Sequence, residues 1–513
     1  MHDWLLLSLG VSCACLVLVF IARRSRRRRH LPPGPNGLPT VGNLFNFPTD
    51  YSWFQFAAWA QEYESDILHF EVLGQHIVVL NTLEAAKELF EARGQIYSDR
   101  QQTVMIHELT GWDRNMAMMP PGDRWRAQRR LFHQAFRPQA IPAYREPLTK
   151  AARTLLLLLL ETPEDFLRHM RLASGSAMLD VMYGMDVDPR GDERMDVVER
   201  AVATVPELFN QGLYLVDIIP ILKYLPAWLP GMGFKRQAAA WKKDVDKLFE
   251  VPYAFVKTVL ATGKSKPCVV SELISSLPAQ SDSSDAEEII MEFAGTAYGG
   301  ADTVVYALTL FVLAMILHPE AQARVQEELD RVVGRDRLPE LADREDLPYL
   351  EALIKELLRW HPIGPTGVPH KSTADDWYNG FLIPAGALVI PNVWSMLHDP
   401  ARYPSPASFR PERFLTPSGT PDPTVPDPDA AFGFGRRVCP GRHLARAALF
   451  IYAAHMLHTF TMAKPVRADG SAEEPSGECS ARFFWVPKPF RASFTPRFEG
   501  AEELIRLAGG GAR

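Results

Sequence analysis

A chain of 513 residues, 47% hydrophobic and 23% charged, has the material for a large buried core, which excludes a disordered or fibrous protein. Its formal charge of -6, with no basic domain, argues against a nucleic-acid partner. Five cysteines are too few and too scattered for a disulfide framework, and Cys268, Cys439 and Cys479 lack zinc-type spacing, so a reducing compartment such as the cytosol is expected.

From Trp4 to Ala22 no residue is charged, close to the roughly 20 residues that a helix needs to cross a bilayer. Arg23, Arg24, Arg26, Arg27, Arg28 and Arg29 follow at once. Positive charge after the apolar run, rather than before it, predicts a retained anchor and not a cleaved signal peptide, with the bulk of the chain in the cytosol. Residues 1–30 are expected to be this anchor and its basic stop-transfer run, and 31–39, containing Leu31-Pro32-Pro33-Gly34-Pro35, a stiff proline-rich hinge. Residues 40–513 then form one large domain, since no repeat or long linker divides them.

Ile67 to Asn81 alternates apolar and polar residues around Gly74, which predicts a small antiparallel sheet; beyond it helical patterning dominates. Leu155 to Leu160 is too short to span lipid and reads as the face of a core helix. Ile289 to Leu317 is apolar enough to tempt a membrane assignment. It contains Glu292 and Asp302, however, and an aspartate near a span centre costs about 2.5 kcal/mol or more, so a long buried helix is expected instead. Ser284 and Glu287 predict a capping box at its start, and His318-Pro319 its end. Gly295, Gly299 and Gly300 inside it each cost about 1 kcal/mol relative to alanine, a weakness that something must offset.

Glu356-Leu357-Leu358-Arg359 places an acid and a base on one helical face. Pro411-Glu412-Arg413-Phe414 follows, then a proline- and aspartate-rich loop from Thr416 to Ala431. Next comes Phe432-Gly433-Phe434-Gly435-Arg436-Arg437-Val438-Cys439-Pro440-Gly441, and a helical run from Leu444. Neighbouring arginine, backbone donors and a helix N-terminus would favour the Cys439 thiolate, the form an iron ligand requires.

This segment resembles the cysteine loop of the cytochrome P450 family, with Phe432, Gly435, Arg437, Cys439 and Gly441 all matching its fixed positions. The acid-base helix and the PERF-like segment match the family in the same order along the chain. The resemblance implies a mainly α fold with a minor β-sheet region, the cytochrome P450 fold, here with one N-terminal transmembrane helix. It implies Cys439 as metal ligand of heme b (iron protoporphyrin IX), and a buried structural triad of Glu356, Arg359 and Arg413. It also implies Trp125, Arg129, Arg437 and His370 against the haem propionates, with Phe432, Gly435 and Gly441 shaping the cofactor loop. Gly299-Gly300-Ala301-Asp302-Thr303 is similar to the oxygen-binding motif, implying Asp302 and Thr303 as catalytic proton relays.

The activity implied is insertion of one oxygen atom from O2 into a lipophilic small molecule, in the style of microsomal fungal enzymes similar to O-methylsterigmatocystin oxidoreductase-like monooxygenases. Electrons would come from NADPH through a separate NADPH-cytochrome P450 reductase, with cytochrome b5 a further partner, because no dinucleotide-binding fingerprint is present. Substrate-lining segments are expected at 98–121, 206–231, 293–298, 363–368 and 483–486, and Leu222 to Pro230 is expected to dip into the membrane interface. A terpenoid is the preferred substrate, an aromatic or indole-like one the next. A redox-neutral isomerase or dehydratase and a non-catalytic haem sensor are the rival functions. The expected location is the endoplasmic reticulum membrane, single-pass, with the catalytic domain facing the cytosol.

Overall fold

Apolar residues alternating around Leu73-Gly74 produce the first unit of the fold. In the computed structural model, which describes residues 30–209, 214–277, 283–467 and 469–510, β1 (Ile67–Val72) pairs antiparallel with β2 (Gln75–Leu80). The turn holds Leu73 at φ 49° and Gly74 at φ 86°, the left-handed pair that suits a two-residue hairpin. Strands β3 (His370–Lys371) and β4 (Leu388–Pro391) complete the sheet in the order β1-β2-β4-β3, with β4 parallel to β2 and antiparallel to β3. Two further pairs, Asp376–Tyr378 with Phe381–Ile383 and Phe460–Ala463 with Ser493–Pro496, are two-stranded.

Helices make up most of the rest. The site is framed by α1 (Asp123–Phe136), α2 (Arg145–Glu161), α3 (Phe166–Tyr183), α4 (Gly233–Ala261), α5 (Ser283–Gly299), α6 (Ala301–Leu317), α7 (Pro348–Trp360) and α8 (Arg442–Thr459). In α2 the leucine run turns Leu155, Leu156 and Leu159 inward and leaves Leu157, Leu158 and Leu160 half-buried, as a 3.6-residue period requires. Helix α6 is buried along nearly its whole length and packs on α3 and α8.

The apolar stretch expected as one helix is two. Gly300 forms the joint, its N–H bonding the Ala297 carbonyl three residues back at 3.1 Å in place of the usual fourth. Gly295 serves packing: a Cβ there would lie 2.3 Å from the Phe249 ring of α4. Glu292 is buried, and its carboxylate accepts bonds from Arg124 at 2.7 and 2.8 Å and from Gln128 at 2.9 Å, which is what makes an acid tolerable inside an apolar helix.

Two expectations are corrected here. Ser284 and Glu287 do not cap the helix, because α5 already includes Ser283 and the Glu287 carboxylate accepts from Lys257 (2.6 Å) and Tyr253 (3.3 Å) of α4. An ion pair with a helix distant in sequence has taken the group that local spacing assigned to the cap. The fold class with one N-terminal transmembrane helix is also overturned. Among the described residues the one helical stretch long and apolar enough to cross a membrane, counted across the Gly300 joint, is Ser284–Leu317, in the middle of the chain. The run from Trp4 to Ala22 lies outside the described residues. Of the apolar window in Ser284–Leu317, 67% is buried against the body, and length with hydropathy alone does not separate such a core helix from a span.

The proline-rich stretch at 31–39, with His30 before it, is sewn to the sheet region. Pro33 accepts the His69 N–H at 2.9 Å, Pro35 accepts from the Asn43 amide at 2.9 Å, and His30 accepts the Leu382 N–H at 2.6 Å.

Candidate active site

Two short turns and the start of a helix bring Cys439 to the cavity wall. Asp429–Phe432 and Gly435–Arg437 form short 3-10 turns, and α8 begins at Arg442. The Cys439 N–H bonds the Phe432 carbonyl at 2.7 Å, closing the loop on itself. Gly435 has φ 52°, and a Cβ there would lie 2.2 Å from the Phe90 carbonyl oxygen, so glycine is required by both conformation and space. Gly441 has ordinary dihedrals, and a Cβ there would meet nothing within 4 Å. Burial pushes the Cys439 thiol up, while the Gly441 and Arg442 backbone donors and the Arg129 and Arg442 charges oppose it. The sulfur thus already has the donors that would favour its anion.

A cavity of about 430 Å³ lies against this sulfur. Its wall includes Trp125, Arg129, Thr303, His370, Phe432, Arg437, Cys439 and Gly441. Of the residues expected at the site, Gly435 lies behind the loop against Phe90, and Asp302 is outside the lining. The Asp302 carboxylate accepts from Arg171 at 3.2 Å and from the Tyr306 hydroxyl at 3.4 Å, and burial raises its pKa. Thr303 faces the cavity, and its hydroxyl donates to the Gly300 carbonyl at 2.8 Å.

One end of the cavity is crowded with cations. Arg437 bonds three carbonyls, of Ser98, Met116 and Met119, and stacks over the Trp125 ring at 4.5 Å. Burial, with Arg129 nearby, brings Arg437 down to about 10. Arg129 is lowered by burial and by Arg442, with the Cys439 sulfur opposing. His370 is buried, stacks on Phe90 at 4.0 Å and donates Nδ1–H to the Tyr97 carbonyl at 2.6 Å. Burial and the charge of Arg100 push its pKa well down.

Sequence reasoning missed Arg100 as a member of this cluster. It is buried, lines the cavity, and bonds the carbonyls of Ala117, Val368 and Pro369 at 2.7 to 3.0 Å. Nothing in its local sequence marks it, since its partners come from remote segments.

The residues fit a haem. Trp125 Nε1 is a buried donor without a hydrogen-bond partner among the described residues, and it stands beside arginines that stay charged in a protein. That arrangement suits carboxylates, of which haem has two. Elsewhere the wall is apolar, with Ile106, Trp112, Met178, Phe209, Phe483 and Phe484, and draws on each segment expected to line it.

Behind the cavity Glu356 accepts from Arg359 at 2.8 and 2.9 Å and from Arg413 at 2.9 Å. All three are buried, and the arginines' remaining donors reach the carbonyls of Leu397, Pro404, Ser405 and Ser408. Glu356 also accepts the Arg410 N–H, so the triad fixes the strand of chain leading towards the cysteine loop.

A helical body with a small sheet, a cysteine loop under a cavity and a cationic pocket beside it define a haem-thiolate protein. Residues 32–494 match the family Cytochrome P450, and the chain belongs to that family. It is 40% identical to Tryptamine 4-monooxygenase of Psilocybe cyanescens over 95% of this chain and 96% of that one. It is 39% identical to Cytochrome P450 monooxygenase 98 of Postia placenta, covering 98% and 97% of the two chains. With Cytochrome P450 monooxygenase ple1 of Rhodocybe pseudopiperita it shares 40% identity over 97% and 95%. The chain is therefore a fungal-type monooxygenase that uses haem b and electrons from NADPH.

Proposed function

We propose that this monooxygenase hydroxylates a lipophilic small molecule of fungal secondary metabolism, with Cys439 as the residue that would hold the haem iron through its sulfur. The observation that carries the reading is the convergence of Cys439, Trp125, Arg129, His370, Arg437 and Thr303 on one apolar cavity. Trp125, Arg129, Arg437 and His370 would hold the haem propionates, and Phe432, Gly435 and Gly441 would shape the loop around the cofactor. Bound there, the haem supplies activation of dioxygen and delivery of one oxygen atom to the substrate. Thr303 Oγ1 releases the Gly300 carbonyl to donate a hydrogen bond inside the cavity. When Thr303 Oγ1 gives a proton into the cavity it would regain one from the Asp302 carboxyl, whose pKa burial raises, and Asp302 would regain its own from solvent on the Arg171 and Tyr306 side of the helix.

A separate NADPH-cytochrome P450 reductase delivers the electrons, with cytochrome b5 a second donor. The enzyme sits on the cytosolic face of the endoplasmic reticulum membrane. Ile221, Tyr224 and Trp228, which are 67%, 75% and 78% exposed, support a lipid contact at that surface. A terpenoid is the preferred substrate. An indole-like substrate is the second reading, favoured by the relative described as Tryptamine 4-monooxygenase. The likeness to O-methylsterigmatocystin oxidoreductase supports secondary metabolism and no particular reaction, because Tryptamine 4-monooxygenase and the Postia and Rhodocybe enzymes carry other descriptions.

Microsomes containing this chain and a reductase, fed terpenoid and indole precursors under labelled dioxygen, test the reading by mass spectrometry. The expected product carries one labelled oxygen and forms only with NADPH. Turnover without reductase or NADPH would support an isomerase or dehydratase instead.

A further inference from the structure

Most neutral polar groups on the cavity wall are satisfied by the protein. Ser174 donates to the Ala301 carbonyl at 2.9 Å, Tyr452 to that of Ala173 at 3.1 Å, and Asn115 Oδ1 accepts the Ala117 N–H at 2.9 Å. Two buried polar atoms on the wall have no hydrogen-bond partner among the described residues. One is Trp125 Nε1, beside the arginines. The other is Thr296 Oγ1.

Elsewhere in this chain, helical threonines bond back to the preceding turn: Thr154 to Lys150, Thr258 to Ala254 and Thr309 to Val305, at 2.9 to 3.1 Å. Thr296 does not. It precedes Gly299 and Gly300 by three and four residues, one turn away on the same helical face, and Thr303 follows beyond the Gly300 joint; all four line the cavity. A buried hydroxyl in an apolar wall is costly unless a ligand bonds it.

The charge of the wall narrows the ligand further. Among the described residues that line the cavity, none is an aspartate or a glutamate. Among acids on the surrounding segments, Glu108 is turned to Lys223, Asp217 to the Met105 N–H, Glu292 to Arg124 and Asp302 to Arg171. Asp99 stands off the lining, and its charge acts on Arg100 and Arg437 at the cationic end. An ammonium ion in this chamber would find no counter-charge.

We infer that the substrate is a neutral, mostly hydrocarbon molecule carrying one oxygen function, and that Thr296 Oγ1 bonds that oxygen and sets its orientation. A protonated amine such as tryptamine is not accepted, in contrast to the substrate in the name of the Psilocybe relative. The inference rests on the cavity being the haem and substrate chamber proposed above.

The test uses haem-loaded wild type, Thr296→Val and Thr296→Ser. Each is titrated with a panel of sesquiterpene alcohols, with each alcohol's parent hydrocarbon, and with tryptamine, reading the substrate-induced high-spin shift. Haem content and the carbon-monoxide spectrum are measured first. If wild type lacks them, the chamber reading has failed and not this inference alone. With haem in place, Thr296→Val is expected to weaken binding of the preferred alcohol about three- to tenfold more than that of its hydrocarbon. Thr296→Ser should restore the alcohol, and tryptamine should give no high-spin shift. Equal effects on alcohol and hydrocarbon, a tryptamine high-spin shift, or no shift from any alcohol would each overturn it.

Discussion

Glu356 lies between two guanidinium groups without contact to solvent, so each member of this triad depends on the others for its charge. Removing one partner of such a group leaves a buried charge uncompensated, at a cost of about 3–5 kcal/mol. Arg413→Ala should therefore lower thermal stability by that order and reduce the yield of folded protein. Arg413→Lys keeps the charge but loses the planar fork, and should fall between the two. A melting temperature for Arg413→Ala equal to wild type would contradict the structural role. The triad was legible in the sequence because its two motifs have a fixed order along the chain. Asp302 shows the limit: its neighbours Ala301 and Thr303 line the cavity while Asp302 itself is turned away to Arg171 and Tyr306. Arg171, far away in sequence, decides where the acid turns.

At the scale of single elements, the cysteine loop contains two glycines with different duties. A Cβ on Gly435 would strike the Phe90 carbonyl from a left-handed backbone, whereas one on Gly441 would meet open space. Gly435→Ala is expected to abolish folded protein, while Gly441→Ala should leave the fold intact and lower the haem-to-protein ratio. Far-ultraviolet circular dichroism and haem content separate the two outcomes, and equal loss of fold in both variants would refute the distinction. The β1–β2 hairpin was readable because Gly74 and the alternation are local signals. The break at Gly300 falls where the sequence showed only weakness, and its local bond to Ala297 marks the joint. The pairing of Glu287 with Lys257 was not readable, since it is settled by packing against another helix. The same reason hides Arg100 and Thr296, whose importance lies in what surrounds them.

Across the whole molecule, burial holds several histidines neutral. It lowers His361 to about 3 and His398, His455 and His458 to about 4, from an ordinary value of 6.5. An unfolded chain takes up protons at these sites below pH 6.5, while the folded chain resists until pH 3–4. Stability contributed by their neutrality is thus full above pH 6.5 and is lost as pH falls towards 4, at about 1.4 kcal/mol per pH unit for each such histidine. The melting temperature should drop between pH 7 and pH 5, and His455→Gln should lessen the slope. A flat profile would show that these side chains are not buried as the structure has them.

The class of the molecule was legible because haem-thiolate chemistry confines a cysteine, glycines and an arginine to one short loop. The substrate was not, because the cavity wall is assembled from side chains spread from Arg100 to Phe484. The central claim is the bond from the Cys439 sulfur to the haem iron. Its most direct measurement is the carbon-monoxide difference spectrum of reduced Cys439→Ser beside wild type. The thiolate-type band should be present in wild type and absent from the variant; a variant that keeps it would contradict the assignment.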